Sequence, residues 1–239
     1  MKWPKISVWS QFRNSAGQQI ELYRKQISNL DYPPELLRLY LCEGDSEDDT
    51  LAQLRAWAVD DDRIRIVKHD TGIPHFAHSP RRERMKAVSE NGNKGWGTIA
   101  GDAWGDYALM LESDLLYQPT LLKQLIERRP ETADIFAPMI WIEVQNNLRF
   151  YDIWAYRING KMFEPNSPEW YFARYGSGLL EVDSVGSVAL FKMNLITEGL
   201  RLGDADCVLG MCNEARKRGY RIFCDPTINI LHPEIEGVT

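Results

Sequence analysis

The sequence has no apolar run near the roughly 20 residues that would cross a bilayer, which removes a transmembrane helix from its reading. Cysteine is scarce. Cys42, Cys207, Cys212 and Cys224 are the only 4, with no C-x-x-C spacing. This excludes a disulfide framework and a cysteine-built zinc site, and points to a reduced, intracellular protein. Basic charge is in deficit too, with 28 Lys and Arg against 34 Asp and Glu, a formal net charge of −6. General nucleic-acid-binding faces are usually basic, so that class is disfavoured, while a small basic pocket for phosphates stays open. There is no N-x-S/T sequon, internal repeat or low-complexity tract. Residues 1–5 lead straight into a strand-like segment with no signal peptide, so a cytoplasmic location is expected.

What is present is an ordinary globular composition, 44% hydrophobic and 26% charged over 239 residues. That suffices for one large α/β domain spanning 1–239, with no second domain required. Hydrophobic periodicity predicts strands at 6–9, 37–42 and 63–68, with a loop at 10–17 and helices at 18–30 and from 51 onward. A βαβαβ opening of this kind is the mark of a parallel sheet covered by helices. Beyond it the pattern predicts a helix over 81–90, a turn at 91–95 (Asn-Gly-Asn-Lys-Gly) and a helix over 96–103. A strand interrupted at Pro138 follows over 134–144. The segment 145–178 is aromatic-rich and aperiodic, and loops this long are usually functional. Later expectations are a strand over 181–192 broken at Gly186, a helix over 205–219, and two strands at 220–224 and 228–232.

The chain is organised around Tyr107-Ala108-Leu109-Met110-Leu111-Glu112-Ser113-Asp114. A buried-type strand ends in two carboxylates one residue apart, and Pro119 then opens a helical pattern. Open α/β sheets bind ligands at the carboxyl ends of their strands. Two carboxylates sharing a site repel unless a cation lies between them, and Mg2+ or Mn2+ with substrate phosphates meets that demand. The competing explanation is that Ser113 and Asp114 cap the next helix and Glu112 is solvated. Asp45, at the end of the second strand, could accept hydrogen bonds from a ribose or base, or simply belong to an acidic turn. Arg81, Arg82, Arg84 and Lys94 precede the central strand and could meet a diphosphate, although basic residues on a helix face are usually solvated. His232 ends the last predicted strand and could complete an Asp/Glu metal site. Asp204 and Asp206 open a helix, where they could cap it, position an acceptor hydroxyl or stabilise positive charge developing on a sugar. Asp183 is a further candidate for that work.

In order and spacing these pieces resemble GT-A glycosyltransferases. More closely they resemble the fungal Golgi mannosyltransferases of the mannan-polymerase type, glycosyltransferase family 62. The residues that carry the resemblance are Phe12-Arg13-Asn14, the run from Leu30-Asp31-Tyr32-Pro33-Pro34 to Glu43-Gly44-Asp45, Gly105-Asp106-Tyr107, and Glu112-Ser113-Asp114 in the place of the family's D-x-D. Phe150-Tyr151-Asp152-Ile153-Trp154, Val182-Asp183-Ser184-Val185-Gly186-Ser187, Arg218-Gly219-Tyr220 and His232 follow. Glu112 departs from the pattern, standing where the family has its first Asp. The resemblance implies a single Rossmann-like GT-A domain with a mostly parallel sheet flanked by helices. Residues 1–115 would bind the nucleotide-sugar and 116–239 the acceptor. It implies a GDP- or UDP-sugar donor, and Mn2+ or Mg2+ held by Glu112, Asp114 and His232. Asp45 would face the nucleoside and Arg13 or Arg84 the donor, with Ser10, Lys94, Glu112 and Ser113 completing the donor site. Asp204, Asp206 and Asp183 are the expected catalytic carboxylates. The implied reaction is hexosyl transfer, mannosyl or glucosyl, with anomeric retention, to a glycan, protein or small-molecule acceptor. The alternative is a GT-A-like domain that binds a nucleotide-sugar or glycan without turnover.

Overall fold

Alternation of buried side chains builds the sheet. In β1 (Ile6–Phe12), β2 (Leu37–Glu43) and β4 (Tyr107–Leu111), residues Ile6, Val8, Leu39, Leu41, Leu109 and Leu111 feed one core layer, and Trp9, Tyr40, Cys42, Ala108 and Met110 the other. A strand with both faces apolar must be covered on both sides. Helices α1 (Gln18–Ser28) and α2 (Thr50–Asp60) supply the first cover through Ile20, Tyr23, Ile27 and Leu54. Helix α3 (Arg82–Asp102) supplies the second through Trp96 and Ile99. The computed structural model describes residues 2–74, 82–144, 147–163 and 178–233. Residues 145–146 and 164–177 of the aperiodic segment, with Arg81, therefore lie outside the described residues.

β3 (Ile64–Lys68), β2, β1 and β4 are parallel neighbours in that order. The chain leaves β1 towards β2 and β3, then returns to β4 on the opposite side. The carboxyl ends of β1 and β4 thus flank the crevice where such sheets bind ligands. Past α4 (Leu121–Arg128) come β5 (Ile135–Val144), β6 (Asn147–Phe150) and a small β7–β8 hairpin (Arg157–Ile158 and Lys161–Met162). They are followed by β9 (Leu180–Val182), β10 (Val188–Lys192), α5 (Met193–Thr197), α6 (Cys207–Lys217) and β11 (Ile222–His232). β10 runs antiparallel between β4 and β5, β11 is parallel to β5, and β9 closes the sheet antiparallel to β11. The sheet is parallel in its first half and mixed in its second, with helices on both faces, which is the α/β architecture expected from the sequence. Among the described residues no helix is long and apolar enough to cross a membrane.

Three local expectations are corrected. The run 91–95 is not a turn but the middle of α3. A Cβ on Gly92 would stand 2.6 Å from Leu202 Cδ1 and 2.8 Å from Trp9 Cζ2, and one on Gly95 would overlap Cys42 Sγ. Those glycines let the helix lie directly on the sheet. Pro138 does not interrupt β5, because β11 shifts register opposite it, between Asp225 and Asn229, so no ladder donor is missed there. The same irregular strand joins the segments expected separately at 220–224 and 228–232. The break expected at Gly186 is present: 181–192 divides into β9 and β10, which pair with different neighbours.

Candidate active site

A cavity of about 680 Å³ opens over the carboxyl ends of β1, β2 and β4. Its floor is Glu112, Ser113 and Asp114; Arg13 and Asp45 stand at one end, Arg84 on the first turn of α3, and Tyr151, Asp152 and Trp154 at the other. Ser113 fixes the floor. Its hydroxyl donates to the Gln11 carbonyl at 2.7 Å and accepts Gln19 Nε2 at 2.9 Å, tying β4 to β1.

The acids crowd. Burial, followed by the charges of Asp114 and Asp152, pushes the Glu112 carboxyl up to about 8, against the opposing effects of a Ser187 hydrogen bond and Arg84. Burial likewise raises Asp152, to about 6, although the Ser187 backbone N–H (3.0 Å) and hydroxyl (3.3 Å) both donate to it. The Ser187 carbonyl accepts the Glu112 N–H at 3.1 Å, so one residue holds both carboxylates in place. A Cβ on Gly186 would overlap the Asp152 carboxylate.

His232 joins this group from β11. Its Nε2 lies 3.4 Å from Asp114 Oδ2, its Nδ1 donates to the Pro233 carbonyl at 2.7 Å, and its ring stacks on Tyr151 with centroids 3.9 Å apart. Burial disfavours the imidazolium, yet the Asp114 carboxylate and the Pro233 carbonyl hold its pKa above the ordinary value. Among the described residues no three His, Cys, Asp or Glu side chains are already arranged to hold a metal ion. The donor chemistry nevertheless fits a hard divalent cation: carboxylates raised by burial and, secondarily, by one another's charge, with one imidazole beside them.

Of the residues expected at the site, Arg13, Asp45, Arg84, Glu112, Ser113 and Asp114 line this cavity, and His232 touches Asp114. Others are placed elsewhere. Ser10 belongs to β1, not to a loop, and is buried with its hydroxyl 2.6 Å from that of Tyr23, on the α1 side of the sheet. Lys94 is exposed on α3 and does not line the cavity, because Gly92, Gly95 and Trp96 take the inward positions of that helix. Asp204 is exposed, and Asp206 Oδ1 occupies the space beside Gly203 and Gly210; neither lines the cavity, although the adjacent Cys207 does. Asp183 pairs with Arg216 at 2.8 Å and lines a separate cavity of about 310 Å³ near β9. The residue that sequence reasoning missed is Asp152. It stands inside the Phe150–Trp154 run that carries part of the resemblance, but nothing in that run gives the acid a role apart from the surrounding aromatics.

Strand order, the site at the β1–β4 crevice and the covering helices define a GT-A glycosyltransferase fold. The mannosyltransferase PcManGT from Pyrobaculum calidifontis, solved with GDP-Man and Mn2+, superposes with a TM-score of 0.63 at 16% identity, over 98% of this chain and 58% of that one. S. aureus TarS 1–349 with UDP-GlcNAc gives 0.61 at 14% identity over 98% and 60%, and its UDP complex 0.60 at 13% over 96% and 60%. The chain therefore spans about three fifths of these neighbours' length, and at such identities the likeness is one of fold. No protein-family model matches the chain, and no curated protein does.

Proposed function

We propose that this chain is a divalent-cation-dependent glycosyltransferase that moves a hexosyl group from a GDP- or UDP-sugar to an acceptor hydroxyl. The observation that carries the reading is the convergence of Glu112, Asp114, Asp152 and His232, from three separate parts of the chain, at the carboxyl end of β4. Asp114 and His232 would hold Mn2+ or Mg2+ with Glu112 beside them, and His232 would have to part from Asp114 to admit it. Once bound, the cation would neutralise the diphosphate leaving group. Arg13 and Arg84 supply fixed positive charge for phosphate oxygens. Asp152, held by Ser187, takes the role expected of Asp183: orienting the acceptor hydroxyl or stabilising charge on the sugar ring. Trp154 and Tyr151 offer flat apolar faces for a ring.

The proposal keeps a donor half (1–115) and an acceptor half (116–239), with Asp152 and the aromatics in the second and His232 reaching from it to the donor cation. Retention at the anomeric carbon, a mannosyl or glucosyl donor and kinship with family 62 are carried from the resemblance in sequence. The bound GDP-Man and Mn2+ of one structural neighbour and the UDP-GlcNAc of another support the donor class. Four free, buried cysteines support a reducing compartment such as the cytoplasm.

The test is donor hydrolysis across GDP- and UDP-sugars, with Mn2+ and with chelator. Turnover of one donor only with the cation is the expected result. Tight binding without turnover of any donor, in the presence of acceptors, would instead favour a binding domain of the same fold.

A further inference from the structure

An acid at the end of the second strand of a nucleotide-binding sheet invites assignment as a nucleoside ligand. In this chain the acid is already engaged. Asp45 Oδ1 accepts the Thr71 N–H (3.1 Å) and the Gly72 N–H (2.8 Å), while Oδ2 accepts the Thr71 N–H (3.0 Å) and the Thr71 hydroxyl (2.6 Å). An ionised carboxylate has about four acceptor positions, and three donors, one of them shared between both oxygens, already engage the two oxygens of Asp45. Burial works in the opposite direction, yet hydrogen bonds from Thr71 and Gly72, with Arg13 nearby, hold the Asp45 carboxyl below its ordinary pKa.

The residue is also gripped from behind. Its backbone is left-handed, at φ 56°, and its N–H donates to Asp70 Oδ1 at 2.6 Å. Lys68 bridges Asp70 to the buried Glu43, whose Oε2 it meets at 2.9 Å. Residues 70–74 are thereby strapped across the end of β2, and Pro74 at the end of the strap lines the cavity. Arg13 adds a second tie, Nη2 to the Ile73 carbonyl at 2.8 Å, and its buried Nε has no hydrogen-bond partner among the described residues.

We propose that Asp45 is a positioning residue that clamps the 70–74 strap as the nucleoside wall of the cavity, and that Arg13 and the strap backbone, not the Asp45 carboxylate, contact the nucleotide. This rests on the nucleotide-sugar reading above and departs from the expectation that Asp45 itself faces the nucleoside.

The test compares Asp45→Asn, Thr71→Val and Thr71→Ser. Amide hydrogen exchange at Thr71 and Gly72 is measured in the ligand-free protein, and Kd is measured for GDP and UDP with Mn2+. Asp45→Asn and Thr71→Val should each speed exchange at those two amides by at least about tenfold, the scale of losing a charge-assisted hydrogen bond. Both should weaken the preferred nucleotide by a similar factor, the double variant should be no worse than Asp45→Asn alone, and Thr71→Ser should behave as the parent. The proposal is overturned if Asp45→Asn weakens nucleotide binding while Thr71→Val leaves it intact, or if neither substitution changes exchange. If the parent binds neither nucleotide, the donor reading and the nucleoside role fall together, and the exchange data alone decide whether Asp45 clamps the strap.

Discussion

His232 Nε2, on the residue that ends β11, lies 3.4 Å from Asp114 Oδ2, three residues past the end of β4. These are the two side chains proposed to hold the cation. Asp114→Asn and His232→Ala should therefore each lower Mn2+-dependent donor turnover by about 100-fold or more, the upper end of what ligand-shell changes cost. Steady-state kinetics at varied Mn2+ checks this, and a loss of less than about threefold in both variants would remove the pair from the site.

Acid crowding gives a pH dependence of stability. Glu112 and Asp152 are raised in the folded protein to about 8 and about 6, so the folded state binds more protons than the unfolded one between pH 4 and 8. Stability from these two groups is complete at acid pH and is lost as pH climbs through that window. Mn2+ with GDP or UDP should offset the loss and release protons on binding. Thermal melts from pH 5 to 8, with and without Mn2+ and nucleotide, should diverge towards pH 8. The variant Glu112→Gln should melt higher than the parent at pH 8.

Asp152 lines the main cavity and Asp183 a separate one, and the proposed role of the first can be separated from the second by activity. Asp152→Asn should reduce turnover at least tenfold, while Asp183→Asn, which loses the charge facing Arg216 and alters the acceptor of the Gly160 N–H, should stay within about twofold of the parent in turnover and cost about 1–2 kcal/mol in stability. Kinetics and denaturant melts on both variants check this.

How legible the chain was follows from how local each signal is. The opening strands and helices, and the Glu112–Asp114 floor, depend on short-range alternation and on strand ends, which a sequence displays directly. Asp183 and Asp152 could not be told apart, because 181–192 splits into strands on different neighbours, and that choice turns Asp183 towards Arg216. Asp45 was visible as an acid at a strand end, but its partners Thr71 and Gly72 lie in a segment with no periodicity. The Asn-Gly-Asn-Lys-Gly run reads as a turn by composition, and only the packing of α3 on Trp9 and Cys42 makes it helix.

That packing is itself testable. Alanine is the better helix former by about 1 kcal/mol, so Gly97→Ala, with nothing within 4 Å of the new Cβ, should stabilise the protein by about 0.5–1 kcal/mol. Gly95→Ala should destabilise it by about 1–3 kcal/mol, since the added methyl meets Cys42 and the Trp9 ring. Urea melts of the two variants should shift in opposite directions.

The central claim is that the acids of β4 and the final imidazole gather around one cation that carries the nucleotide diphosphate. The most direct test is Mn2+ binding followed by paramagnetic resonance, with GDP or UDP present, in the parent, Asp114→Asn and His232→Ala. The account predicts one bound Mn2+ per chain that requires the nucleotide for full affinity and is lost in both variants. Nucleotide binding of equal strength in chelator, or Mn2+ binding unchanged in the two variants, would contradict it.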